Sequence, residues 1–81
     1  MQTNRNMTDR FVAAFAELVD AGLTNKSRFC LDIGADRRNF DKMLSNPARH
    51  LLRPEWVANA VLAYGLSARY LLTGRGSLFG L

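Results

Sequence analysis

Phe29–Leu44 reads "FCLDIGADRRNFDKML", an apolar pattern at helical spacing that is interrupted by one glycine and then resumes among charges. Phe29, Cys30 and Ile33 share one helix side, and Gly34 follows where a left-handed residue stops a helix without strain. Asp36 is placed to cap a new helix, which would run through Phe40, Met43 and Leu44 with Phe40 and Met43 on its inward side. The stretch predicts helix, tight turn, helix, the arrangement that holds two helices at a steep angle. A helix that had only to pack would need neither the glycine nor the cluster Arg37, Arg38, Asp41 and Lys42.

Before this stretch, Thr8 is a candidate N-cap with Asp9 beside it, and Phe11, Ala14, Phe15, Leu18 and Val19 recur at helical spacing up to Gly22. Thr24 or Asn25 can cap the second helix. After it, "SNP" ends the third helix, because Asn46 tolerates a terminal conformation and Pro47 prevents continuation. The loop "PARHLLR" leads to Pro54, which suits a first helical turn because its missing N–H has no partner there. Trp56, Val57, Ala60, Val61 and Tyr64 form the fourth apolar stripe, closed by Gly65. Ser67 can cap a fifth helix with Tyr70, Leu71 and Leu72, ended by Gly74. No alternating strand of useful length appears, so the expected class is all-α, a compact five-helix bundle.

At 81 residues the chain is one domain, and it is expected to divide into a flexible arm over 1–7 and a folded unit over 8–81. A hydrophobic share of 48% beside 22% charged residues is that of a globular domain rather than a disordered chain. No apolar run approaches the roughly 18 residues of a membrane span, and the start lacks a signal-peptide core, so a cytoplasmic protein with no membrane partner is expected. One cysteine, Cys30, and one histidine, His50, leave no disulfide framework and no structural zinc site.

Charge is distributed unevenly. Lys26, Arg28, Arg37, Arg38, Lys42, Arg49 and Arg53 face only Asp32, Asp36 and Asp41 within residues 26–53, and the rest of the chain balances, so the whole excess of +4 falls there. Such a patch points to a polyanionic partner such as nucleic acid; a solvated basic face is the plainer alternative.

With these residues in view, the chain resembles the lambda-repressor-like (XRE-type, phage-repressor-like) helix-turn-helix family. The family pattern is a small residue, a glycine four positions later and a buried aliphatic six positions after that, matched by Cys30, Gly34 and Phe40. The tail "YGLSARYLLTGRGSLF", 64–79, is similar to the closing helix of many phage-repressor-type members, and the resemblance covers about residues 8–79. Three positions depart from the pattern: Lys26 where many members have glutamine, Asp36 where Ser or Thr is frequent, and Phe40 where a smaller aliphatic is usual.

The resemblance implies a helix-turn-helix at helices 2 and 3, with a recognition helix over about 36–45 in the DNA major groove. Its base-reading positions fall on Arg37, Arg38, Asp41 and Lys42, with Asn39 at the flank. Arginine can bond bidentately to guanine O6 and N7. Asp41 would be repelled by phosphates unless it accepts from a cytosine amino group or pairs with Arg37 or Arg38, and pairing is the expectation. Lys26 and Ser27, at the start of the second helix, are expected to position a phosphate, and Arg49, His50 and Arg53 to flank the same backbone. Cys30 reads as a buried hydrophobe and Trp56 with the phenylalanines as core.

The expected function is sequence-specific double-stranded DNA binding by a small prokaryotic or phage-type transcriptional regulator, located at the nucleoid when bound. A homodimer is expected, since one such module makes few phosphate contacts; "SLFGL" and the outer side of helix 5, Tyr70 included, are the available surfaces. The rival is a protein-interaction module of antitoxin or antirepressor type that keeps the fold without reading DNA. An enzyme ranks last, because no nucleophile with a base, paired carboxylates, metal cluster or phosphate-binding glycine loop appears, and no cofactor is expected.

Overall fold

The computed structural model of the chain describes residues 7–46 and 52–79. Five helices follow in order: α1 Met7–Asp20, α2 Lys26–Ile33, α3 Arg37–Ser45, α4 Pro54–Tyr64 and α5 Ala68–Thr73. Among the described residues there is no strand; an isolated antiparallel bridge joins Leu66 to Phe79. No helix among them is long and apolar enough to cross a membrane.

Helix α1 starts at Met7, so Thr8 lies inside its first turn and is not the cap expected from the sequence. Met7 packs against the core, and residues 1–6 of the expected arm lie outside the described residues. Phe11, Ala14 and Leu18 form the buried stripe with Phe15 beside it. Val19 does not join it: one step of 100° beyond Leu18, it is on the exposed edge.

Helix α2 is capped by Asn25, whose side chain accepts from the Arg28 N–H at 2.9 Å. Thr24, the other candidate, turns its hydroxyl to the Tyr64 hydroxyl instead, at 2.9 Å. At the far end Gly34 sits at φ 74° and ψ 30°, and the Ala35 N–H reaches back to the Cys30 carbonyl at 2.8 Å. That is the six-to-one bond of a Schellman turn, with Ala35 supplying the accompanying apolar contact to the core. Asp36 begins α3 directly afterwards, accepting from the Arg38 N–H at 2.7 Å. Asn46 ends α3 with φ −148°, outside the left-handed region, and Pro47 lies outside the described residues.

Pro54 opens α4 as its first residue, and Gly65 closes it. Ser67 caps α5 by accepting from the Tyr70 N–H at 3.0 Å, while its own N–H donates to the Leu78 carbonyl at 2.7 Å. The chain after α5 therefore returns along the α4–α5 turn. Leu78 packs on the core, Tyr70 is half-buried against it, and Phe79 remains 46% exposed.

The core is built around Phe29. Its ring centroid lies 5.8 Å from Phe11, 4.8 Å from Phe15, 5.7 Å from Phe40 and 5.4 Å from Tyr64. Phe40 extends the cluster to Trp56 at 6.1 Å. Phe40, whose ring also lies 5.1 Å from Phe15, thus bridges α1, α2 and α4, and aromatic pairs at these offset angles add about 0.5–1.5 kcal/mol each beyond area burial. Phe40 and Met43 fix which side of α3 faces inward.

Candidate nucleic-acid interface

With Phe40 and Met43 buried, the 100° step of a helix turns Arg38, Asp41, Lys42 and Ser45 away from the core, with the exposed Arg37 at their flank. These five side chains and Asn46 line one shallow groove of about 550 Å³. Asn39 is exposed but does not line it.

The start of α2 lies against this surface. The Lys26 Nζ bonds the Asp41 Oδ1 at 2.8 Å, and the Arg37 Nη1 donates to the Ser27 Oγ at 3.1 Å. The residues expected to hold phosphate and those expected to read bases are thereby linked by two side-chain bonds. Asp41 does not pair with Arg37 or Arg38 as the sequence suggested. A basic residue four positions before an acid is the weaker orientation on a helix, and Lys26 approaches from a neighbouring one. Asn25 uses its side chain on the Arg28 N–H, so the N–H groups of Lys26 and Ser27 are the ones with no acceptor inside the helix.

Arg53 stands apart from the groove: it occupies the N-cap of α4 without a capping bond, and its guanidinium lies 5.9 Å from the Trp56 ring centroid. Arg49 and His50 lie outside the described residues. Trp56 and the phenylalanines Phe11, Phe29 and Phe40 are buried, so they form no stacking surface for bases.

Cys30 is buried beneath the same region, and burial pushes its thiol above the usual range, against the opposing pull of Arg37. A thiol held protonated in this way is a poor nucleophile.

Reading the sequence also missed a polar chain behind the groove. The Tyr64 hydroxyl donates to the Asp32 Oδ2 at 2.5 Å, the Thr24 hydroxyl meets Tyr64 from the other side, and the Arg28 Nε lies 3.4 Å from the Asp32 Oδ1. Burial first, and then the bond to Asp32, push the Tyr64 phenol above its ordinary range. The Arg28–Asp32 spacing of four was a visible signal, but Tyr64 read only as part of an apolar stripe.

The arrangement offers several cationic donors and one carboxylate on one helix face, beside the first turn of another helix. It is suited to a ligand that presents hydrogen-bond acceptors and negative charge over the length of α3. No family model matches the chain, and comparison with curated proteins and with solved structures returns no match.

Proposed function

We propose that the chain is a sequence-specific double-stranded DNA-binding protein, a small transcriptional regulator of prokaryotic or phage type with a lambda-repressor-like helix-turn-helix at α2 and α3. The observation that carries the reading is the junction of α2 and α3, where Lys26 and Ser27 meet Asp41 and Arg37 on one exposed face. Nine residues of α3 are roughly 13 Å long, a length and diameter that the roughly 12 Å wide major groove admits. The formal excess of +4 within residues 26–53 supplies the attraction to phosphate.

In this reading Arg37, Arg38 and Lys42 address base edges, and the open N–H groups of α2 with Lys26 and Ser27 hold the backbone. Self-association as a homodimer is part of the proposal, and the described residues offer one apolar face for it beside α5. Leu78 is engaged with its own core, whereas Leu62 and Leu72 are 82% and 59% exposed beside an apolar groove of about 470 Å³ between α4, α5 and Met7.

That groove is also what favours the rival, a protein-interaction module that does not read DNA. One experiment separates the two. Purified protein is used at physiological salt to select duplexes from fragmented genomic DNA, and the retained fragments are sequenced. Enrichment of a short, nearly palindromic site is the expected result; retention without sequence preference would sink the DNA-reading function and leave the interaction module.

A further inference from the structure

Asp41 is the residue that a purely phosphate-binding surface does not explain. It lines the α3 groove among Arg37, Arg38 and Lys42, and a carboxylate there repels a DNA backbone. It does not neutralise its neighbours on α3: the Arg37 guanidinium is bonded to Ser27, and the ion pair of Asp41 runs to Lys26 on α2. Nor is it placed as a brace. The side chains of Lys26 and Asp41 are 41% and 48% exposed, and exposed pairs of this kind contribute little to stability. Lys26 occupies Oδ1, and among the described residues Oδ2 takes no hydrogen bond.

We infer that Asp41 is a base-reading acceptor, its Oδ2 taking a hydrogen bond from the exocyclic amino group of a cytosine in the major groove, with Lys26 as the positioning residue that orients the carboxylate. The inference rests on the DNA-binding reading above and names the bases that the same site selects. The major groove offers two amino donors, cytosine N4 and adenine N6. Adenine sets the N7 lone pair beside its amino group, so a two-oxygen acceptor that reaches N6 also meets a repelling acceptor. Cytosine has only a C–H beside its amino group. Its partner guanine presents O6 and N7, which suit Arg38, three positions before Asp41 and therefore on the same side of the helix. A C·G pair thus satisfies both an arginine and the aspartate, and the half-site holds such a pair under Arg38 and Asp41.

The test is selection from a random duplex pool at physiological salt by the full chain and by the variants Asp41→Asn, Asp41→Ala and Lys26→Met, with thermal midpoints measured alongside. The wild type is expected to require cytosine at one position, and replacing it by thymine in an otherwise selected site should weaken binding about 10-fold or more. Asp41→Asn should move that position toward adenine, whose N6 and N7 suit an amide. Lys26→Met should weaken binding alike on all sequences, through the lost backbone contact, and in addition relax the preference at that one position, with the preference at the other positions and the midpoint unchanged. If the wild type selects a site and both Asp41 variants keep its preference at every position, the inference is overturned while the DNA-binding reading stands. Uniformly tighter binding by Asp41→Ala with no change of base preference would overturn it too. A wild type without any sequence preference would remove the underlying reading itself, and the inference with it.

Discussion

The Asn59 side chain of α4 donates from its Nδ2 to the Ile33 carbonyl at 2.9 Å, and so ties α4 to the last turn of α2. The bond falls one residue before Gly34, at the turn that sets the direction of α3. The same amide nitrogen lies 3.6 Å from where a Cβ on Gly34 would stand, which is ordinary contact. Gly34 is therefore required by its positive φ, while Asn59 holds the carbonyl that the turn leaves exposed.

Replacing Asn59 by alanine should cost about 1–2 kcal/mol, the effect of leaving a half-buried carbonyl without its donor. For a domain of this size the thermal midpoint falls roughly 4–8 °C per kcal/mol. Asn59→Asp should be worse than alanine, because its carboxylate faces both the carbonyl and the negative end of the α2 dipole. Thermal unfolding of the two variants at neutral pH checks the order; an aspartate variant as stable as the wild type would contradict the contact.

Arg10 performs a similar function at the other end of the molecule. Its Nε donates to the Leu71 carbonyl at 2.9 Å and its Nη2 to the Leu72 carbonyl at 3.1 Å, so a guanidinium from α1 closes the C-terminal turn of α5. Arg10→Met keeps the apolar stem and removes the donors, and should destabilise by about 1.5–3 kcal/mol. Arg10→Lys should recover part of this through its charge at the helix C-terminus but not the two-pronged bond. Denaturant midpoints of the three proteins distinguish a bond from mere stem packing, which would leave methionine near wild type.

The parts of this fold that could be read from the residues are those settled within a few positions. Asn25, Asp36 and Ser67 cap the helices that follow them, and Gly34, Gly65 and Gly74 stop the helices that precede them, because each contact closes within one turn. The inward side of α3 was equally legible from Phe40 and Met43. What was not legible joins residues far apart in the chain: Asn59 to Ile33, Arg10 to Leu71, Tyr64 to Asp32 and Lys26 to Asp41. The misplaced pairing has this cause: Asp41 bonds a partner fifteen positions away rather than the arginines on its own helix.

Stability should decline in alkaline solution for a stated reason. The phenol of Tyr64 and the thiol of Cys30 are both raised in the folded protein, chiefly by burial, above their unfolded values of about 10 and about 8.5. A raised value means that the folded state holds the proton more tightly. The stabilisation is thus complete below the unfolded values and is lost as pH rises through the folded ones. The thermal midpoint should fall above about pH 9, first through Cys30 and then through Tyr64. Tyr64→Phe should start lower at neutral pH, having lost the bond to Asp32, and fall less steeply above about pH 10. Equal alkaline slopes for the two proteins would exclude Tyr64 as a contributor.

Arg38 gives the sharpest separation of binding from folding. Its backbone N–H is committed to Asp36, but its guanidinium has no partner among the described residues and its side chain is exposed in the α3 groove. Arg38→Ala should therefore change stability by no more than about 0.5 kcal/mol. If Arg38 reads guanine, the variant should lose about 1–3 kcal/mol on a selected site and much less on a scrambled duplex. If it meets only a phosphate, affinity should fall alike on both, and the slope of log K against log salt should shrink by roughly 0.9. Titrations of both duplexes at several salt concentrations decide between these outcomes. Unchanged affinity on both would remove Arg38 from the interface while leaving the helix that carries it intact.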